Sequence, residues 1–195
     1  MKYYDTSFDD YLKSNNLYNI HPELQEIQNH LPRSKTDIEN LIVYGPSGIG
    51  KYTQTLKILS KYSDNQLKYD KKLEILTDKQ DYIMRFSDIH YEIDISLLGC
   101  NAKTLWHEIF FQIVDIVSTK KDKIGIILCK NFHQINSELL DVFYSYMHHY
   151  DKNDNIQIKF VLLTEQISFI PNKILSICDR IQISRLHENA YNELN

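Results

Sequence analysis

The chain of 195 residues predicts an α/β fold: three α/β/α layers around a five-stranded parallel sheet, with a small β-hairpin inserted ahead of the second core strand. Three observations carry this. A glycine-rich loop, Gly45-Pro46-Ser47-Gly48-Ile49-Gly50-Lys51, stands between a short apolar run (41–44) and a helix-like run (51–62). That order is a P-loop layout, in which backbone N–H groups and a helix N-terminus face a phosphate. Residues 124–129 and 158–163 are continuously apolar, the pattern of strands buried on both faces. Finally, strand-like and helix-like segments alternate along the chain, which right-handed crossovers turn into a parallel sheet.

Taken in order, residues 7–40 are polar and predict helix in pieces, within an N-terminal segment spanning 1–40. Pro22 suits the first turn of a helix running to His30, and Leu31-Pro32-Arg33-Ser34 ends it. Strand one is 41–44, and Leu56 and Leu59 mark the buried side of the helix after the loop. Segments 73–77 and 82–86 read as the hairpin, and the alternating 91–95 reads as the second core strand. Leu105, Ile109, Ile113, Ile116 and Val117 recur at helical spacing over 102–118. The strand 124–129 follows, then a helix to about His149 with Asn136 and Ser137 as N-cap candidates. Strand 158–163, a short helix opening near Pro171 and a last strand at 181–184 close an α/β core of 41–186, within a single domain spanning 1–195.

Composition narrows the function. Apolar residues make up 43% of the chain, enough for a full core, and a net charge of −4 provides no global basic field for nucleic acid. The three cysteines, Cys100, Cys129 and Cys178, lack metal-ligand spacing; Cys129 and Cys178 lie in apolar surroundings and fit a reducing, intracellular compartment. No apolar h-region opens the chain and no stretch reaches the ~18 apolar residues of a membrane span, so neither secretion nor membrane insertion is expected. The aromatics Phe110, Phe111, Phe143, Tyr144 and Tyr146 are expected mostly in the core, with the remainder free for a subunit interface. Lys120, Lys121 and Lys123 read as a solvated turn.

The loop implies a nucleotide. Gly45 to Lys51 would cradle its phosphates, Lys51 reaching the outer ones, with Tyr52 and Thr53 completing the segment. Mg²⁺ fits less well. The residue after the lysine normally supplies a hydroxyl to the metal, and here it is Tyr52. Thr53 is rotated from that position by about 100° of helix and does not simply replace it. Hydrolysis needs a carboxylate at the tip of a buried strand, yet 124–129 leads into Lys130-Asn131-Phe132-His133, and no Asp or Glu lies between Asp122 and Glu138. Asn131 can orient a water but is a poor base; His133 reads as structural more readily than as a base. Thr164, at the end of 158–163, and Lys51 are the candidate residues facing a γ-phosphate.

These pieces together resemble the AAA+ (RecA-like) ATPase domain of a replication factor C type clamp-loader small subunit. The closest segment is 41–53, where Tyr52 intervenes between the P-loop lysine and Thr53 as in one branch of those subunits. His90-Tyr91-Glu92-Ile93-Asp94-Ile95 is similar to that branch's second core strand, and Lys159 to Glu165 to its sensor-1 strand, with Thr164 at the sensor position. Pro171 to Cys178 resembles the family's Ser-Arg-Cys segment, but Ile177 stands where the arginine that enters a neighbour's ATP site would be, and Arg180 is three residues on. The Walker B acids are missing, and the chain ends near Asn195, where the family continues into a lid and a collar. The Ile-, Asn-, Lys- and Tyr-rich composition resembles that of a shortened copy in a large DNA virus or similarly reduced genome.

The resemblance implies a core that binds ATP or ADP with weak or absent hydrolysis, works in DNA replication beside other clamp-loader-like subunits or replication proteins, and meets DNA through them. Two alternatives stay open. One is an ATPase completed by residues from a partner subunit; the other is a P-loop kinase for nucleotides or small molecules, against which the scattered Arg33, Arg85, Arg180 and Arg185 argue.

Overall fold

The computed structural model describes residues 6–76, 81–151 and 155–185; the predicted ends of the first hairpin strand (Thr77) and of the core (Leu186) lie outside them. Helices α1 (Phe8–Leu17) and α2 (Leu24–His30) precede β1 (Asn40–Tyr44), and α3 (Lys51–Ser60) leaves the glycine loop. There follow β2 (Lys71–Ile75), β3 (Tyr82–Phe86) and β4 (His90–Asp94), then α4 (Ala102–Ser118) and β5 (Ile124–Lys130). The described chain continues through α5 (Ser137–Asp151), β6 (Gln157–Thr164), α6 (Asn172–Leu175) and β7 (Cys178–Gln182).

Among the described residues one sheet holds the seven strands in the order β2-β3-β4-β5-β6-β1-β7. Five of them, β4, β5, β6, β1 and β7, are parallel neighbours. The hairpin β2–β3 joins antiparallel to β4, so the inserted element extends the same sheet at its edge. Because successive side chains point to opposite faces, each central strand feeds two cores. Leu41, Val43, Ile126, Leu128, Val161 and Leu163 pack with Phe8, Leu24, Leu56 and Leu59 of the first three helices. Their neighbours Ile42, Ile127, Cys129, Phe160 and Leu162 pack with Trp106, Ile109, Phe110, Leu139 and Phe143 of α4 and α5. These are the three layers.

Local signals explain where elements begin. Ser7 and Asp10 close α1 with a reciprocal capping box, Ser7 Oγ accepting from the Asp10 N–H at 3.2 Å and Asp10 Oδ2 from the Ser7 N–H at 3.0 Å. Asn136 Oδ1 accepts from the Leu139 N–H at 2.8 Å at the start of α5. Among the described residues no helix is long and apolar enough to cross a membrane.

Several expectations need correction. The second core strand, predicted at 91–95, runs from His90 to Asp94, with His90 and Glu92 0% and 2% exposed and Ile95 in a 3-10 turn. The last strand begins at Cys178, earlier than predicted, because it aligns Asn40 with Cys178 and Tyr44 with Gln182 along β1. Phe110 and Phe143 are buried, Tyr144 and Tyr146 half-buried, and Phe111 exposed. Lys120 is not simply solvated: its ammonium donates to Asp88 O at 2.6 Å and lies over the Tyr91 ring.

Candidate functional site

Parallel strands deliver their C-terminal tips to one edge of the sheet, where α/β folds bind ligands. Here the strand tips and the glycine loop border a cavity of about 350 Å³. Its walls are Ser47, Gly48, Gly50, Lys51 and Tyr52 on the loop side, and Asp94, Lys130, Asn131, His133, Thr164 and Glu165 on the strand side. A second cavity of about 230 Å³ shares Gly50 with it and is lined by Asn15, Tyr18, Ile20, Thr53 and Gln54. Thr53 therefore faces the second cavity and Tyr52 the first.

The loop between β1 and α3 is held from three sides. The Gly45 N–H donates to Thr164 O at 3.3 Å, and the Ile183 N–H donates to Tyr44 O at 2.8 Å. A Cβ on Gly45 would stand 2.2 Å from Ile183 O, so only glycine fits at this φ of +152°. From the N-terminal segment, buried His21 places Nε2 at 2.7 Å from Ile49 O. Gln54 of α3, also buried, donates to Asn15 and Asn19 at 3.0 Å. Gly48, at φ +75°, faces open space: a Cβ there would meet no atom within 4 Å.

Lys51 donates to Gly45 O at 2.7 Å and to Pro46 O at 2.5 Å, holding its ammonium over the loop's own carbonyls. Burial draws its pKa down, offset in part by Glu165. A phosphate replaces these neutral acceptors with anionic ones, and such charge-assisted bonds are about twice as strong. Glycines in positive φ, open space at Gly48, a helix N-terminus without a side-chain cap and a lysine within reach fit a nucleotide phosphate.

The residue after the loop lysine offers Mg²⁺ no free hydroxyl. The Tyr52 hydroxyl, on the residue directly after the loop lysine, donates to Glu92 Oε1 at 2.6 Å. Burial, then the neighbouring Glu92 carboxylate, push the phenol far above its ordinary pKa, so it remains a donor. Lys130, at the tip of β5, places Nζ 3.3 Å from Glu92 Oε2 and over the Tyr52 ring, 5.6 Å from its centroid. Buried His90 places Nε2 3.6 Å from Glu92 Oε1. Its Nδ1 lies 2.6 Å from Ser87 Oγ, which also accepts from the His90 N–H. Burial alone would raise the Glu92 pKa, but His90, Lys130 and Tyr52 outweigh it and hold the carboxylate below its ordinary range. Among the described residues no group of three His, Cys, Asp or Glu is arranged to hold a metal ion.

Three acids stand here that the sequence around β5 does not announce. Asp94 ends β4 beside Lys130, and its Oδ1 accepts from Asn131 Nδ2 at 2.9 Å and from Ser96 N and Oγ at 3.1 and 2.6 Å. Glu165 follows Thr164, with Oε1 3.8 Å from His133 Nε2. Glu92 is the third, at the middle of β4. Thr164 lines the cavity, but its hydroxyl donates to Gln166 O at 2.8 Å. Arg180 lies on the edge strand β7, exposed, and Ile177 is half-buried just before that strand.

No family model matches the sequence, and no curated protein matches it. Solved structures do. The chain superposes on C. elegans PCH-2 with a TM-score of 0.53 at 13% identity, covering 96% of this chain and 48% of that one. It is likewise similar to the FIGL-1 AAA domain, with a TM-score of 0.51 at 11% identity, covering 93% and 54%. The fold is that of an AAA+ P-loop NTPase domain. The chain spans about half the length of these structures. In this fold the β1–α3 loop and the tip of β5, with Lys130 and Asn131, border the same cavity.

Proposed function

We propose that this chain is a clamp-loader-like AAA+ core that holds ATP or ADP with little or no hydrolysis and acts in DNA replication through partner proteins. One observation supports the holding without cutting: a complete phosphate cradle stands beside a strand tip whose acid position is filled by Lys130, itself paired to Glu92. Gly45 to Lys51 would bind the phosphates, and the cavity lined by Ile20, Thr53 and Gln54 lies beyond Gly50, where the nucleoside end would extend. When bound, the nucleotide supplies a polyanion that Lys51 and the α3 N-terminus neutralise. Bound ligand also ties β1, α3 and the N-terminal segment together through Ile49 and Gly50, giving a partner one fixed surface.

The clamp-loader and replication roles rest on the sequence resemblance around 41–53, 90–95 and 159–165. Clamp-loader-like subunits are the proposed partners. The kinase reading gains nothing from the site. Arg85 is held by Asp70 at 2.9 Å and lies over Phe8, and among the described residues no arginine lines the phosphate cavity.

Thermal unfolding with ATP, with ADP and with neither tests the binding. At a ligand concentration 100 times Kd, stabilisation is about 2.7 kcal/mol, or an upward shift of roughly 5–10 °C for a domain of this size. Lys51→Ala should remove most of that shift. No shift with either nucleotide would contradict the proposal.

A further inference from the structure

We infer that Lys130 takes the place of a divalent metal ion, so that this chain binds its nucleotide metal-free. The inference rests on the nucleotide reading above and adds the form of the ligand. Four features place the ammonium there. It projects from the tip of β5, is about one-third exposed (32%), and forms part of the wall of the phosphate cavity that also holds Lys51. It sits over the ring of Tyr52, the residue directly after the P-loop lysine, where a metal's hydroxyl ligand would otherwise be. Glu92, the carboxylate nearest Tyr52, is 2% exposed and has both oxygens engaged, Oε1 by Tyr52 and Oε2 by Lys130. Asp94 Oδ1 is engaged as a cap by Ser96 and by Asn131.

The electrostatics then run one way. A dication entering beside Lys130 meets a like charge, and the carboxylate nearest Tyr52, Glu92, is already engaged at both oxygens. A polyphosphate entering between Lys51 and Lys130 meets two ammonium groups, each a point-charge phosphate binder. His133 and Glu165, facing each other at the rim 3.8 Å apart, and Asp94 are the other titratable groups on the cavity apart from Tyr52. Asp94 and Glu165 disfavour a bare polyanion, and this makes the second cation necessary rather than redundant.

Calorimetric titration of the full chain with ATP, ADP and AMP, in EDTA and in excess Mg²⁺, tests this. The wild type should bind ATP in EDTA at least as tightly as in Mg²⁺. Lys130→Gln should weaken metal-free ATP and ADP by about tenfold or more while AMP changes by less than about threefold, because the ammonium faces the outer phosphates. Should Lys130→Gln fold poorly, the paired Glu92→Gln/Lys130→Gln variant removes both charges together and is read the same way. Wild-type affinity that rises about tenfold with Mg²⁺, or a Lys130→Gln protein that binds metal-free ATP like wild type, overturns the inference and leaves nucleotide binding standing. A wild-type chain that takes no nucleotide in either buffer overturns the nucleotide reading itself.

Discussion

Gly45→Ala is expected to destabilise the fold by roughly 3–5 kcal/mol, the sum of steric overlap and backbone strain. The added methyl group would lie 2.2 Å from Ile183 O and 2.8 Å from Ile49 Cδ1, at a φ of +152°. A flexible side chain can yield, but the nearer obstacle is backbone. That backbone is anchored, since the Ile183 N–H donates to Tyr44 O at 2.8 Å and the Gly45 N–H to Thr164 O at 3.3 Å. Relief therefore requires the start of the loop to part from the chain after β7. Gly48→Ala is the matched control: with nothing within 4 Å and a φ of +75°, it should lose only about 1–2 kcal/mol. Urea unfolding followed through the single tryptophan, the fully buried Trp106, reads both variants. Equal losses would show that the wedge against Ile183 is not what fixes the loop.

Glu92→Ala should cost about 2–4 kcal/mol, because it strands buried His90 and the half-buried Tyr52 and Lys130 instead of removing a whole pair. Tyr52 loses the acceptor of its 2.6 Å hydrogen bond, Lys130 loses its counter-ion at 3.3 Å, and His90 is left facing a void. The same carboxylate gives a pH signature. Its folded pKa is held below the unfolded value, so the stability it contributes is fully present above the ordinary glutamate range. That contribution is lost as pH falls through the depressed value. Wild-type unfolding free energy should thus drop below pH ~4.5 more steeply than that of Glu92→Ala. Parallel acid slopes, or a loss at neutral pH under about 1 kcal/mol, would mean that Glu92 is no keystone of the site.

Much of the fold is legible in the chain because its central strands are hydrophobic without interruption. Ile126, Ile127 and Leu128 belong to a strand covered on both faces, as do Phe160 to Leu163, and their spacing from α4 and α5 leaves little choice but a parallel sheet. The edges are less legible. The hairpin's union with β4 depends on pairing Arg85 with Glu92 and Phe86 with Tyr91, contacts that no local pattern announces. The start of β7 at Cys178 depends on its register with Asn40.

The phosphate loop is written in one contiguous segment, while the rest of the site is assembled from strand tips far apart in sequence. Glu92 stands in an alternating strand, and only the structure shows Tyr52 and Lys130 closing over it. Asp94 and Glu165 reach the cavity only through the sheet order. The missing acid at the tip of β5 is visible in the sequence; that its replacement is a paired lysine is visible only in three dimensions.

Above all, this cradle is expected to keep a nucleotide intact. The decisive experiment loads the chain with ATP labelled on the γ-phosphate, separates protein from free nucleotide, and follows both retained ATP and released phosphate. About one ATP per chain should be retained uncleaved through the time needed for many turnovers of an ordinary ATPase, and Lys51→Ala should retain none. Phosphate release at several per second, lost in Lys51→Ala, would refute a holding role.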